Sequence, residues 1–412
     1  MTGVLRETPL LQQAPDAKTT PMPKPPEFSL VCGGLLFRIC RRAHLSGGSL
    51  ELLHRRVLAI TLLAWLPLLV LSVVDGRAVA GAVKIPFLYD VEAQVRFLLA
   101  MPLLIVAEVF VDERISPLVR RFVERRTIRT KDLPRFNEAV TSALRVRDSA
   151  AAEATLLLVV YTLGLWLWWG AIASDAATWY ARPEGAGFTF SWAGYWYAFV
   201  SIPIFQFILC RWYLRLVLWF RLLWSISRLD LQLSASHPDG AGGIGFLGRT
   251  AFAFSPIVFA QGVLLAGVIA TRILYQGQTL PAFQLEVISW IGVMVLFILG
   301  PLGMFAPHLE RTKRKNGAAF GTLASEYICQ FDEKWLRRGP RGMRGLLGSG
   351  DIQSLADLGA SHQVVSAMRV VPFGRADITE VVVAAATPLI PLALTMFSVE
   401  ELIERLFKLF FR

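Results

Sequence analysis

Six ionisable residues fall inside or at the ends of long apolar stretches: Arg96, Glu108, Glu153, Arg211, Arg215 and Arg272. Charge placed among apolar neighbours is costly, so such residues are candidates for ion pathways, proton relays or paired structural charges. Glu108 lies deepest of the carboxylates, about one turn inside its apolar run. Arg211 and Arg215 are one helical turn apart and could line the inner mouth of a route through the membrane. Glu92 and Arg96 have the spacing of a pair on one helical face. Gln206 and Gln261 are the only amides well inside apolar runs, where they can bond between helices. No carboxylate sits in the middle of a run, as coupling to a proton or cation would require. That pattern favours a pore, an anion route or a role without transport.

A second group is the loop from His237 to Gly248 (HPDGAGGIGFLG). Its end matches G-x-G-x-x-G, but a dinucleotide site needs a preceding strand and a βαβ setting, and a long helix precedes it here. The favoured expectation is a tight connection needing unusual backbone dihedrals. The sharper expectation is an anion loop, in which Gly242, Gly243 and Gly245 offer backbone N–H groups and His237 and Asp239 close the turn. His237-Pro238-Asp239 also equals the tripeptide of J-domain co-chaperones, without the helices that surround it there. All five histidines fall at boundary or loop positions, so a pair of haem ligands within the bilayer is not expected. His54 and His308 could converge at one membrane edge. HExxH, GxSxG and Walker sequences are absent, so no enzymatic class, cofactor or metal is assigned.

These residues must be positioned by helices in a bilayer. Of 412 residues, 54% are apolar and 18% charged, and the mean hydropathy is +0.51. A soluble domain is less apolar and more charged. Spans are expected near 57–74, 96–111, 154–173, 188–210, 251–271 and 287–309, matching a core of about 30 Å except for the second, which is short and needs Arg96 to snorkel to the surface. A seventh candidate, 381–398, carries Pro388 and Pro391 and is read as a kinked span, with a re-entrant hairpin as its rival. Ser398 to Glu401 then opens an amphipathic terminal helix. The expected fold class is all-α, a polytopic helical bundle without a sheet.

Around these spans, the segments 1–56, 112–152, 211–250 and 306–379 hold 34 Lys and Arg, against 4 in the alternate loops. This asymmetry places the N-terminus in the cytoplasm and the C-terminus, after seven spans, outside. It also accounts for the net charge of +11 without nucleic acid. Aromatic residues from Trp166 to Tyr197 form a belt at the outer ends of spans three and four.

Four regions follow. Residues 1–44 are proline-rich and expected to be disordered. Residues 45–308 are the membrane core, 309–379 a cytoplasmic helical segment, and 380–412 the last span and terminal helix. Helix signals at Ser116-Pro117 and Leu133-Pro134 suggest cytoplasmic helices, the second running on into span three. Cys32, Cys40, Cys210 and Cys329 are read as free thiols on the reducing side.

The blocks His237–Gly248, Phe331–Arg337, Asp351–Leu358 and Pro391–Glu401 resemble an uncharacterised family of bacterial polytopic inner-membrane proteins. The resemblance spans roughly residues 45–410 and implies a bacterial inner-membrane location, with no activity, ligand or catalytic residue attached. The first functional expectation is an oligomeric ion channel or transport protein with a basic vestibule that enriches small anions. The alternative is a non-enzymatic scaffold or signalling module whose cytoplasmic helices bind a partner.

Overall fold

The computed structural model describes residues 28–31, 33, 50–79, 83–166, 178–184, 187–337 and 350–396. Six helical stretches among them are long and apolar enough to cross a membrane. The chain is a multi-pass membrane protein on that ground.

Helix α1 (Leu50–Val74) buries Ala64 and Leu68 and leaves Leu58, Leu62, Leu66 and Val73 on its outside, as expected for a helix facing lipid. Helix α2 is continuous over Val91–Glu124, 34 residues, or about 51 Å at 1.5 Å per residue. It therefore extends well beyond the expected 96–111. Pro117 lies within it, so Ser116-Pro117 starts no helix; Ile115, Leu118, Val119 and Phe122 around it are buried. Packing holds the helix together where local capping rules would stop it.

Helix α3 (Leu133–Arg147) buries Phe136, Val140 and Ala143. It stops at Asp148 instead of continuing. Ser149 then caps helix α4 (Ala150–Gly164), its Oγ accepting from Ala152 N at 3.4 Å. The last third of the expected third span, from 167, lies outside the described residues.

A short antiparallel hairpin of β1 (Ala181–Glu184) and β2 (Gly187–Phe190) precedes helix α5 (Trp192–Ser227). Residues 188–190, expected to be helical, are thus strand. This small sheet corrects the expectation of none. Close packing fixes the junction: a Cβ on Gly194 would stand 2.1 Å from the Tyr180 carbonyl oxygen.

Helix α2 has a π turn at Val95–Ala100, just before Pro102, and α5 has one at Tyr197–Ser201, just before Pro203. Each proline lacks the N–H that would bond four residues back, and the widened turn absorbs the gap. The two turns meet, for Arg96 donates to Tyr197 Oη at 2.6 Å.

Helix α6 begins with a tight turn at Gly245 and runs to Gln276, ending at Gly277 in the left-handed conformation (φ +68°). Helix α7 (Gln284–Leu299) passes through a tightened joint at Gly300–Phe305 into α8 (Ala306–Phe331). Only Leu309 of α8 is buried. Helix α9 (Asp351–Ser366) packs back on α8, with Tyr327 Oη donating to the Asp351 carbonyl at 2.9 Å.

Helix α10 (Arg375–Ala386) tightens at Thr387–Met396, where Pro388 and Pro391 fall, and Arg375–Leu394 has membrane-spanning length. It lies so close to α6 that a Cβ on Gly262 would be 2.7 Å from the Ala385 carbonyl oxygen. The expected terminal amphipathic helix, Cys32, Cys40 and residues 338–349 lie outside the described residues. Within them, Cys210 and Cys329 are free.

The N-terminal region holds a further departure. Phe28, Leu30 and Val31 are buried in the main core, so this part of the proline-rich segment is ordered against the bundle.

Candidate functional site

Three helices bring charge together near one end of the bundle. Glu108 on α2 receives Arg56 of α1 on Oε2 and Arg215 of α5 on Oε1, the latter at 2.8 Å. The side chains of Arg56, Glu108 and Arg215 are only 12%, 7% and 3% exposed. Arg211, one turn before Arg215, is also buried and donates to the Gly33 carbonyl at 3.1 Å. Among the described residues, three guanidinium groups thus gather around the Glu108 carboxylate. Arg215 Nη2 and Arg56 Nε are buried without a partner among the described residues.

The neighbours hold this arrangement in place. Trp212 Nε1 donates to the Leu104 carbonyl at 2.9 Å, locking α5 onto α2 one turn from Glu108. The Trp212 ring lies under Arg215, its centroid 4.8 Å from the guanidinium carbon. The N-terminal segment covers one side: Ser29 Oγ donates to Asp112 Oδ1 at 2.6 Å, and Arg147 donates to the Ser29 carbonyl.

Glu108, Arg211 and Arg215, named above as candidates for an ion route, are therefore brought together. Arg96 is not among them. It lies twelve residues before Glu108, near the start of α2, paired with Glu92 and Tyr197 and 5.9 Å from the Phe205 ring centroid. Gln206 donates to the Gly164 carbonyl at 3.4 Å and Gln261 to Tyr213 Oη at 2.9 Å, so both join helices as interhelical bonds. Sequence reasoning missed Arg56 and the 28–33 segment. Arg56 read as an ordinary basic residue before the first span, and its partner is 52 positions away.

The glycine-dense loop has a different logic from the expected anion loop. Asp239 Oδ1 accepts from the N–H groups of Ala241 (2.9 Å) and Gly243 (3.1 Å), and Oδ2 accepts from Gly245 (2.9 Å). A carboxylate of the chain itself thus takes two of the three donors expected to face an external anion, those of Gly243 and Gly245. Gly240, Gly242 and Gly243 have φ of +62°, +67° and +97°, the tight connection expected first. Arg369 clamps it, donating through its guanidinium to the Asp239 carbonyl and through its N–H to the Gly240 carbonyl, both at 2.8 Å.

Partial burial opposes ionisation of Asp239, but the three N–H donors prevail and hold its carboxyl below the usual carboxylate range. Its contribution to stability is then present above the unfolded value near 4 and is lost as pH falls through the folded one. Asp239→Asn should remove this part of the acid sensitivity. Melting temperatures measured from pH 6 to pH 3 should fall less steeply for the variant, from a lower starting point. Parallel curves would show that Asp239 is not responsible.

His308 Nε2 lies 2.7 Å from the Ser227 carbonyl oxygen, tying α8 to the end of α5. Among the described residues, no group of three or more His, Cys, Asp or Glu side chains could hold a metal. No family model, curated protein or solved structure matches this chain. The functional reading consequently rests on the geometry of the charged cluster.

Proposed function

We propose that the protein is a membrane channel or transport protein that passes a small anion, with Arg56, Arg211 and Arg215 attracting it at the inner mouth. The observation that carries this reading is the gathering of three buried guanidinium groups around Glu108 among the described residues. Charge taken out of water and left without full compensation favours a mobile counter-ion beside it. Arg211 is the residue best placed to meet that ion, because its described hydrogen bond goes to a neutral carbonyl.

In this proposal the basic segments face the cytoplasm of a bacterial cell, residues 381–398 form the seventh span, and the working unit is a homo-oligomer. Purified protein in liposomes should release trapped chloride or nitrate faster than protein-free vesicles, and sodium or potassium no faster. Release of neither anion, with folded protein verified in the same vesicles, would reject the reading.

A scaffold role is the second reading, favoured by the α8–α9 pair. That pair leaves Leu323, Ile328, Leu336 and Ile352 exposed. In the scaffold reading these side chains meet a partner protein, and no ion flux accompanies them.

A further inference from the structure

Between α3 and the end of α5 lies a cleft of about 400 Å³, separate from the Glu108 cluster. It is lined by Arg135 and Glu138 from α3, Ser142 one turn on, and Arg221, Trp224 and Arg228 from α5. Three guanidinium groups against one carboxylate leave it a net charge of +2. The arginines are partly arranged already. Arg221 Nη2 bonds Ser142 Oγ at 3.1 Å, and the Arg228 guanidinium carbon lies 4.5 Å from the Trp224 ring centroid. Arg135 stands 3.8 Å from Asp132 and is 77% exposed.

Position adds to chemistry. Helix α5 with its π turn runs 36 residues, about 54 Å, so its final turns stand beyond a hydrocarbon core of about 30 Å that begins at the Trp192 end. Arg221, Trp224 and Arg228, about 43–54 Å along it, therefore stand past the headgroups on the basic side, in reach of water. Trp224 is half exposed there. Guanidinium forks match phosphate oxygens bidentately.

We infer that this cleft binds a phosphate-bearing anion, with Arg135, Arg221 and Arg228 as its ligands and Trp224 packing beside it. The site does not depend on the transport reading. Its phosphate could belong to a phospholipid headgroup or be free in solution, and the two are separable by experiment.

The full-length protein in neutral detergent is titrated with short-chain phosphatidylglycerol, with short-chain phosphatidylcholine, and with inorganic phosphate against chloride at matched ionic strength, following the melting temperature. Phosphatidylglycerol should raise it more than phosphatidylcholine if the ligand is an anionic headgroup. Inorganic phosphate should raise it as well if the free ion suffices. Either result supports the site. R221Q/R228Q should weaken the effective ligand about 25-fold, at roughly fivefold for each basic residue near a membrane surface. A surface control of equal charge change, R120Q/R314Q, should shift the affinity less than twofold. E138Q should tighten binding. If R221Q/R228Q does not purify, R135Q is read instead and should weaken binding about fivefold. Absence of stabilisation by both phosphatidylglycerol and phosphate overturns the inference. So does an equal loss in the control, or no change in R135Q.

Discussion

Glu108→Gln should destabilise the protein by about 3–5 kcal/mol, the cost of removing one partner from a buried charge group. The substitution keeps the side-chain volume but leaves Arg56, Arg211 and Arg215 facing one another without a carboxylate. Denaturant or thermal unfolding in detergent measures the change. The double variant Glu108→Gln/Arg215→Met should recover part of the loss, since it removes one of the stranded charges. Destabilisation of the double variant equal to the sum of the two single losses would mean that the 2.8 Å contact carries no coupling.

The second large effect is expected at Arg211→Glu. This residue can be reversed with less structural damage than Arg215, because it does not bond Glu108 directly and its described bond reaches the Gly33 carbonyl. A unit charge about 8 Å from a passing ion, at an effective dielectric near 20, is worth about 2 kcal/mol, and reversal changes the charge by two units. Salt screens part of this. The ratio of chloride to potassium flux in liposomes should fall by tenfold or more. An unchanged ratio, with folded protein, would remove Arg211 from the ion route. The Gly33 carbonyl already accepts one Arg211 N–H, so Gly33 lies against the arginine cluster.

Much of the architecture was legible from residue order, and the failures have specific causes. Apolar runs of bilayer length identified α1, α5, α6 and α7, because hydrocarbon selects length and composition directly. The same rule cut α2 short. Arg96, Glu108 and the Asp112-Glu113-Arg114 run read as a helix leaving the membrane, whereas the first two are paired inside the bundle. Pairing across 52 and 107 positions, Arg56 and Arg215 to Glu108, leaves no local periodicity to find.

Other signals were present and outweighed. The Gly185-Ala186-Gly187 run between Arg182 and Phe190 is a hairpin signal, and Asp148-Ser149 is a helix stop followed by a cap. At the N-terminus, Phe28-Ser29-Leu30-Val31 is a short apolar run that the surrounding prolines obscured. The glycine loop shows the converse. Its unusual dihedrals were expected, but the acceptor of its N–H groups was the chain's own Asp239.

The central claim, that an anion passes the arginine cluster, is tested most directly by a reversal potential. Purified protein is placed in a planar bilayer with a tenfold potassium chloride gradient. The current should reverse close to the equilibrium potential of chloride and shift toward that of potassium in Arg211→Glu. Reversal at the potassium potential in the parent protein, or no current above the bare bilayer, would contradict the account.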